Sequence, residues 1–343
     1  MKNILVITEH PAPYWDKTFS ELEKLSYLNV IYIKSEVQSK PWKNEKHHQG
    51  IIFRMVNFNK IIRLIFESDQ IILGGIYLKQ LIFLLILSLC LFKKVALFSD
   101  VPEKKKRNWV LNIFKYILFR FFNLFLVSGN EGIIHYNVNY KIPLKRIIYF
   151  PYAWNEHNTE SPNFQERPLR VFISNRFLER KGYDTLYNVF VELINKKTIS
   201  DFTFKIAGDG PLFIEYSNKF KDLVDVKYHL LGWIDYDKYL NELNNCHILF
   251  NPSKFEPFGI PILDALSRGK IVISTNMVMS ANDFIQDQKN GFLFNVDDRD
   301  SIIKIFIHIA ADRFNLALIS KSAKNFLPKY STFIKEFLMK IKQ

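Results

Sequence analysis

Apolar and polar positions along the chain follow two alternating rhythms. Short apolar runs at residues 4–7, 30–33, 70–73, 95–99 and 124–127 are bounded by polar or turn residues and predict buried strands. Between or beside them, residues 19–28, 78–92, 109–122 and 131–140 predict helices. Strands that alternate with helices in this way predict a parallel sheet with helices on both faces.

Residues 155–162 are polar, lack an apolar period and form the best linker candidate. The rhythm then restarts. Strands are expected at 170–174, 203–207, 226–231, 247–251 and 271–275, and helices at 184–194, 213–220, 236–244 and 261–268. Two successive α/β units follow, residues 1–160 and 168–327, which suits a chain of 343 residues at about 100–200 residues per domain.

Composition adds a polarity between the two halves. Residues 1–155 carry 22 Lys and Arg against 11 Asp and Glu, whereas the remainder carries 25 against 23. A basic half beside a near-neutral half implies that one domain faces something anionic. Net charge alone does not make a nucleic-acid binder, and no basic-aromatic base-reading motif accompanies it. The two cysteines, Cys90 and Cys246, lie in apolar segments and read as buried free thiols. The first apolar run is too short for a signal peptide, so a cytoplasmic chain is expected. Residues 81–92, apolar but for Ser88, span only 12 positions between Lys79 and Lys93 and read as a buried helix, not a membrane span. The next segment has two readings. Lys104, Lys105, Lys106 and Arg107 precede the aromatic stretch from Trp109 to Phe122, as in a helix that lies among anionic headgroups at the inner membrane face. A solvated basic loop followed by a core helix is the other, and the charge asymmetry favours the first.

The chemistry concentrates in residues 251–265. A strand ends near Asn251, and the following loop holds one carboxylate, Glu256. Gly259 lets the backbone approach a ligand, and Pro261 suits the first turn of a helix whose free N–H groups favour an anion. Asp264 adds a second carboxylate, and ionised carboxylates accept strongly from sugar hydroxyls. This stretch resembles the E-x7-E signature of retaining GT-B glycosyltransferases of family 4, usually E-x-F-G-L-P-x-x-E-A. Glu256, Phe258, Gly259, Ile260, Pro261 and Ala265 match, with Asp264 where a second Glu is usual. Residues 175–184 resemble the family's G-R-x4-K-G-x-D segment, with Asn175 in place of Gly, then Arg176, Lys181, Gly182 and Asp184. The turn 207–211 and the loop Gly232-Trp233 match further family elements in order, as does the segment Asp283 with 290–294.

The resemblance implies a GT-B fold, two Rossmann-like domains whose parallel sheets face a central cleft, with a C-terminal helix at about 328–343 packing back on the first. It implies transfer of a sugar from a nucleoside-diphosphate sugar to a hydroxyl of a glycan or lipid-linked acceptor in cell-surface polysaccharide synthesis. Arg176 and Lys181 would hold the diphosphate, assisted by the backbone at Gly259 and Ile260. Glu256 would orient the donor sugar and Asp264 the ribose. Gly232 and Trp233 lie near the base, with Trp233 open to a core role instead. No cofactor and no metal are implied: Asp235-Tyr236-Asp237 mimics a metal-binding D-x-D but opens a helix, where Asp is a favoured cap. The first domain would take the acceptor, with His10, Asp16 and Asp100 at strand ends. It lacks the family's Gly-Gly loop and mid-domain His, which leaves a second reading, a catalytically weak GT-B protein that binds a membrane surface.

Overall fold

The computed structural model describes residues 1–34, 48–101, 109–154, 162–296 and 298–342. The chain divides into two compact units, Met1–Ala153 with Lys329–Gln343, and Trp154–Pro328.

The first unit runs β1 (Asn3–Thr8), α1 (Pro13–Glu23), β2 (Tyr27–Tyr32), β3 (Ile51–Ile52), α2 (Phe58–Glu67), β4 (Gln70–Leu73), α3 (Lys79–Cys90), β5 (Val95–Ser99), α4 (Trp109–Leu118), β6 (Leu124–Val127), α5 (Asn130–Ile134) and β7 (Ile147–Tyr149). All pairings are parallel, in the order β3-β2-β1-β4-β5-β6-β7. Helices cover both faces, which is why the strands read as continuous apolar runs.

The second unit runs β8 (Leu169–Ser174), α6 (Tyr183–Asn195), β9 (Phe202–Ala207), α7 (Phe213–Lys221), β10 (Tyr228–Gly232), α8 (Tyr236–Asn245), β11 (Ile248–Asn251), α9 (Ile260–Leu266), β12 (Ile271–Thr275), α10 (Met279–Phe284), β13 (Phe292–Phe294), α11 (Arg299–Ala310) and α12 (Leu316–Phe326). Its parallel sheet has the order β10-β9-β8-β11-β12-β13. The last helix, α13 (Ser331–Lys340), belongs to the first unit. Ile334 and Phe337 bury its inner face, and the Tyr330 hydroxyl donates to the Pro151 carbonyl at 2.9 Å.

Both sheets reverse strand order once, between β1 and β4 and between β8 and β11. In open α/β sheets ligands bind beyond the carboxyl ends of the strands at such a reversal.

Several expectations need correction. The first helix covers Pro13–Glu23, not 19–28. Pro13 starts it, Trp15, Thr18, Phe19 and Leu22 form its buried face at helical spacing, and Tyr27 and Leu28 are already strand. The helix expected at 131–140 is present but α-helical only over Asn130–Ile134, and it runs on as a π-helix over His135–Asn139. Cys90 is exposed at the end of α3, while Cys246 is buried and its thiol is pushed up to about 12 by burial. Nor is α4 a core helix: none of its residues is buried, and the core of that segment is made by Phe119 and Phe122 beyond its end. The linker residues 155–161 and the basic run 104–107 lie outside the described residues.

Candidate functional site

The reversal in the second sheet is flanked by two loops, Asn175 to Gly182 after β8 and Pro252 to Gly259 after β11. They meet backbone to backbone. Gly182 has φ +73°, and a Cβ there would lie 2.0 Å from the Pro252 carbonyl oxygen, so only glycine permits the approach. The Lys254 N–H donates to the Arg180 carbonyl at 2.8 Å, and Arg180 Nη1 donates to the Phe255 carbonyl at 3.0 Å.

These contacts bring Lys181 and Glu256 together. Lys181 Nζ pairs with Glu256 Oε2, and Arg180 Nη1 approaches the same oxygen at 3.4 Å. The Asn175 amide joins the arrangement. Its Oδ1 accepts from Lys181 Nζ at 3.3 Å, and its Nδ2 donates to Asn251 Oδ1 at 3.2 Å, which ties the end of β8 to the end of β11. Asn251 Oδ1 also accepts from the Ser253 N–H at 3.1 Å.

Lys181 is 8% exposed. Burial disfavours its charge most, and the Arg180 and Arg176 guanidinium groups add to that, while Glu256 opposes it. The balance holds the ammonium below its ordinary value. Arg176 is exposed, and its guanidinium has no carboxylate partner among the described residues. The neighbouring Lys254 and Asp184 neutralise each other at 2.7 Å. Lys181 and Arg180 thus approach one carboxylate, and Arg176 lies near enough to Lys181 to act on its charge, a surplus of positive charge suited to a ligand carrying at least two negative charges.

The remaining residues singled out in the second unit sit differently. Gly259, at φ +97°, precedes α9, and a Cβ on it would lie 2.5 Å from Val278 Cγ1 and 3.5 Å from Glu256 Cγ, so it belongs to the same turn. Ile260 opens α9, a helix of only 7 residues. Phe258 is buried and its carbonyl accepts from the Ser280 N–H at 2.8 Å. Asp264 is 1% exposed; Tyr239 donates to its Oδ2 at 3.3 Å and Arg268 Nη1 lies 3.9 Å from its Oδ1. It packs against these buried groups. The Gly232 carbonyl accepts from the Gly208 N–H at 2.7 Å, and Trp233 follows it, 40% exposed, beyond the end of the edge strand β10. Asp235 accepts from the Lys238 N–H at 2.8 Å and caps α8.

In the first unit His10 is buried beside Glu9, its Nδ1 3.6 Å from Glu9 Oε2. Asp16 accepts from the His48 N–H at 2.9 Å, and Asp100 accepts from the Ser128 hydroxyl at 3.0 Å and the Tyr152 hydroxyl at 3.3 Å. Sequence reasoning passed over Glu9, which bridges Lys34 at 2.7 Å and the Tyr77 hydroxyl at 2.9 Å across the reversal between β1 and β4. It also passed over Arg180 as a partner of Glu256, although Arg180 lies beside the matched Lys181.

Two Rossmann-type units, one carrying a cation-rich cluster at its switch point, define the class. The family model of glycosyl transferases group 1 matches residues 155–326. The chain belongs to that family. Among curated relatives, a 41.2 kDa protein of the cps region of Klebsiella pneumoniae is 29% identical over 141 residues, 41% of this chain and 37% of its own length. The Escherichia coli UDP-Gal:alpha-D-GlcNAc-diphosphoundecaprenol alpha-1,3-galactosyltransferase is 29% identical over 135 residues, 39% of this chain and 34% of its own. The chain therefore spans little more than a third of the length of these relatives. Among solved structures, Anabaena HepE in complex with UDP superposes with a TM-score of 0.78 at 16% identity, covering 100% of both chains. The architecture is accordingly GT-B.

Proposed function

We propose that this chain is a retaining glycosyltransferase that moves a sugar from a nucleoside-diphosphate sugar to a hydroxyl of a glycan or lipid-linked acceptor in cell-surface polysaccharide synthesis. One observation carries the reading: Lys181, Arg180 and Glu256 meet at the switch point of the second sheet, with Arg176 on the same loop. The Anabaena structure contains UDP and the E. coli relative is named for a UDP-sugar, so a uridine nucleotide is the first donor to test.

In this reading Arg176 and Lys181 neutralise the departing diphosphate, assisted by the backbone at Gly259 and Ile260. Fixed positive charge aimed at a growing anion is the main lever a site of this kind has on rate. The cations supply that charge without a metal. The diphosphate competes with Glu256 for Lys181, and the released carboxylate orients the donor sugar and stabilises positive character at its anomeric carbon. Asp264 and Trp233 hold the nucleoside, the first through the ribose. The first unit receives the acceptor near His10, Asp16 and Asp100, and the reaction belongs to the cytoplasmic side of the membrane.

Calorimetry tests the donor site. UDP is expected to give a saturable heat with the wild-type chain that Arg176→Ala removes. A panel of nucleoside diphosphates that gives no heat with the wild type would overturn the reading.

A further inference from the structure

The first unit carries a helix turned inside out. On α4, Trp109, Val110, Ile113, Phe114 and Ile117 fall at i, i+1, i+4, i+5 and i+8, which places them on one arc of the helix. That arc faces solvent: Trp109 is 72% exposed, and the other four are 50% exposed or more. Asn112 and Lys115 lie on the opposite arc with Leu118 and are less exposed, and Leu111 beside them is half exposed. A helix on a water-facing surface has the reverse arrangement. Scattered exposed apolar side chains are ordinary, but a contiguous stripe along a whole helix marks an interaction surface.

We propose that α4 is an interfacial helix that seats this chain on an anionic lipid bilayer. Its 10 residues extend about 15 Å, too short to cross, and among the described residues no helix is long and apolar enough to span a membrane. It therefore lies in the interface with its outward arc among the acyl chains and Trp109 at headgroup level. Charge selects the occupant. Arg120 follows the arc just beyond the helix end, Lys115 lies on the opposite side of the helix, no carboxylate occurs between Trp109 and Glu131, and residues 1–155 carry 22 cations against 11 anions. Arg120 is held over the Tyr116 ring at 4.6 Å, which keeps its charge beside the apolar arc. A second copy of the chain seated on this face would bring two basic units together, whereas anionic headgroups complement them. The proposal does not depend on the catalytic reading, because it concerns binding to lipid in the absence of any donor.

Flotation of the full chain with phosphatidylcholine vesicles, with and without phosphatidylglycerol, tests it. The wild type is expected to float with the anionic vesicles and far less with the neutral ones. Trp109→Gln, Ile113→Gln and Ile117→Gln together keep helix propensity and remove the arc, and they are expected to weaken binding by about tenfold or more. The thermal midpoint is expected to stay unchanged, since these side chains are exposed; the single change Ile117→Gln serves as a milder check. Lys115→Gln with Arg120→Gln is expected to erase the preference for anionic lipid. A wild type that fails to float, or a triple variant that floats as well as the wild type, overturns the proposal. So does a wild-type dimer in sedimentation that the triple variant abolishes without vesicle binding, since a second copy then covers the arc.

Discussion

Lys181 and Glu256 share an ion pair in which the ammonium is almost wholly buried and the carboxylate is its only formal counter-charge among the described residues. Substitution of either partner should therefore act in opposite directions on anion binding. Lys181→Met keeps the volume and removes the charge, and UDP affinity is expected to fall by roughly tenfold or more in calorimetry. Glu256→Gln removes the competing carboxylate, so UDP binds at least as tightly. Transfer falls by about a hundredfold because the donor sugar loses its orienting charge. Urea unfolding should show Glu256→Gln less stable by on the order of 3 kcal/mol, the cost of leaving a buried cation unpaired.

The loop that carries Arg176 rests on a glycine of the neighbouring strand end. Gly208 has φ +143°, and a Cβ there would lie 1.8 Å from the Asn175 carbonyl oxygen, which is backbone and has nowhere to move. Gly208→Ala is expected to cost about 3 kcal/mol or more and to weaken UDP binding through displacement of Asn175. Gly232→Ala is the control. Gly232 has φ +63° with nothing within 4 Å of the added carbon, so only the conformational cost of about 1 kcal/mol remains. Equal losses in urea unfolding would refute the steric account.

His247 predicts a specific acid sensitivity. It is fully buried ahead of β11, where its Nδ1 accepts from the Arg170 N–H at 2.9 Å. Burial first, then Arg170 and Lys270, lower its value from 6.5 to about 4 against an opposing pull from Glu166. The unfolded chain therefore binds the proton more readily, and the native state loses stability as pH falls from 6.5 to about 4. Below that window both states are protonated and the loss stops growing. His247→Asn keeps an acceptor for the Arg170 N–H without the titration. Its stability should fall less steeply than the wild type's between pH 6.5 and 4, by on the order of 2 kcal/mol over the window. Parallel curves in urea unfolding at a series of pH values would contradict this.

The strands at 70–73, 95–99, 124–127 and 271–275 were legible to the residue, because strands covered on both faces leave apolar runs with sharp polar ends. Two elements left weaker traces. β3 is only two residues long, and α2 shows its helical period in Ile61 and Ile65 but buries little else. The candidate site was legible as two motifs and no further. Arg176, Lys181 and Glu256 could be named from local spacing, but the pairing of Lys181 with Glu256 spans 75 residues and no local pattern records it. Asn175 reads as a departure from a glycine; only the meeting of β8 and β11 makes it a bridge to Asn251.

Asp264 stands where the family usually carries glutamate, and its burial separates two roles that the sequence merges. The shorter side chain reaches Tyr239 at 3.3 Å and lies 3.9 Å from Arg268, both buried with it. The Tyr239 hydroxyl is held well above its ordinary value, first by burial and then by the Asp264 charge. Asp264→Asn leaves Arg268 without this counter-charge and is expected to cost on the order of 3 kcal/mol in urea unfolding. A ribose role adds a second signature, because the nucleoside is lost while the phosphates are not. Below the unfolding transition, UDP affinity should then fall by about tenfold while inorganic pyrophosphate binds unchanged. Equal losses for both ligands would assign Asp264 to the packing of α9 alone, since a distorted Gly259 turn weakens every anion alike.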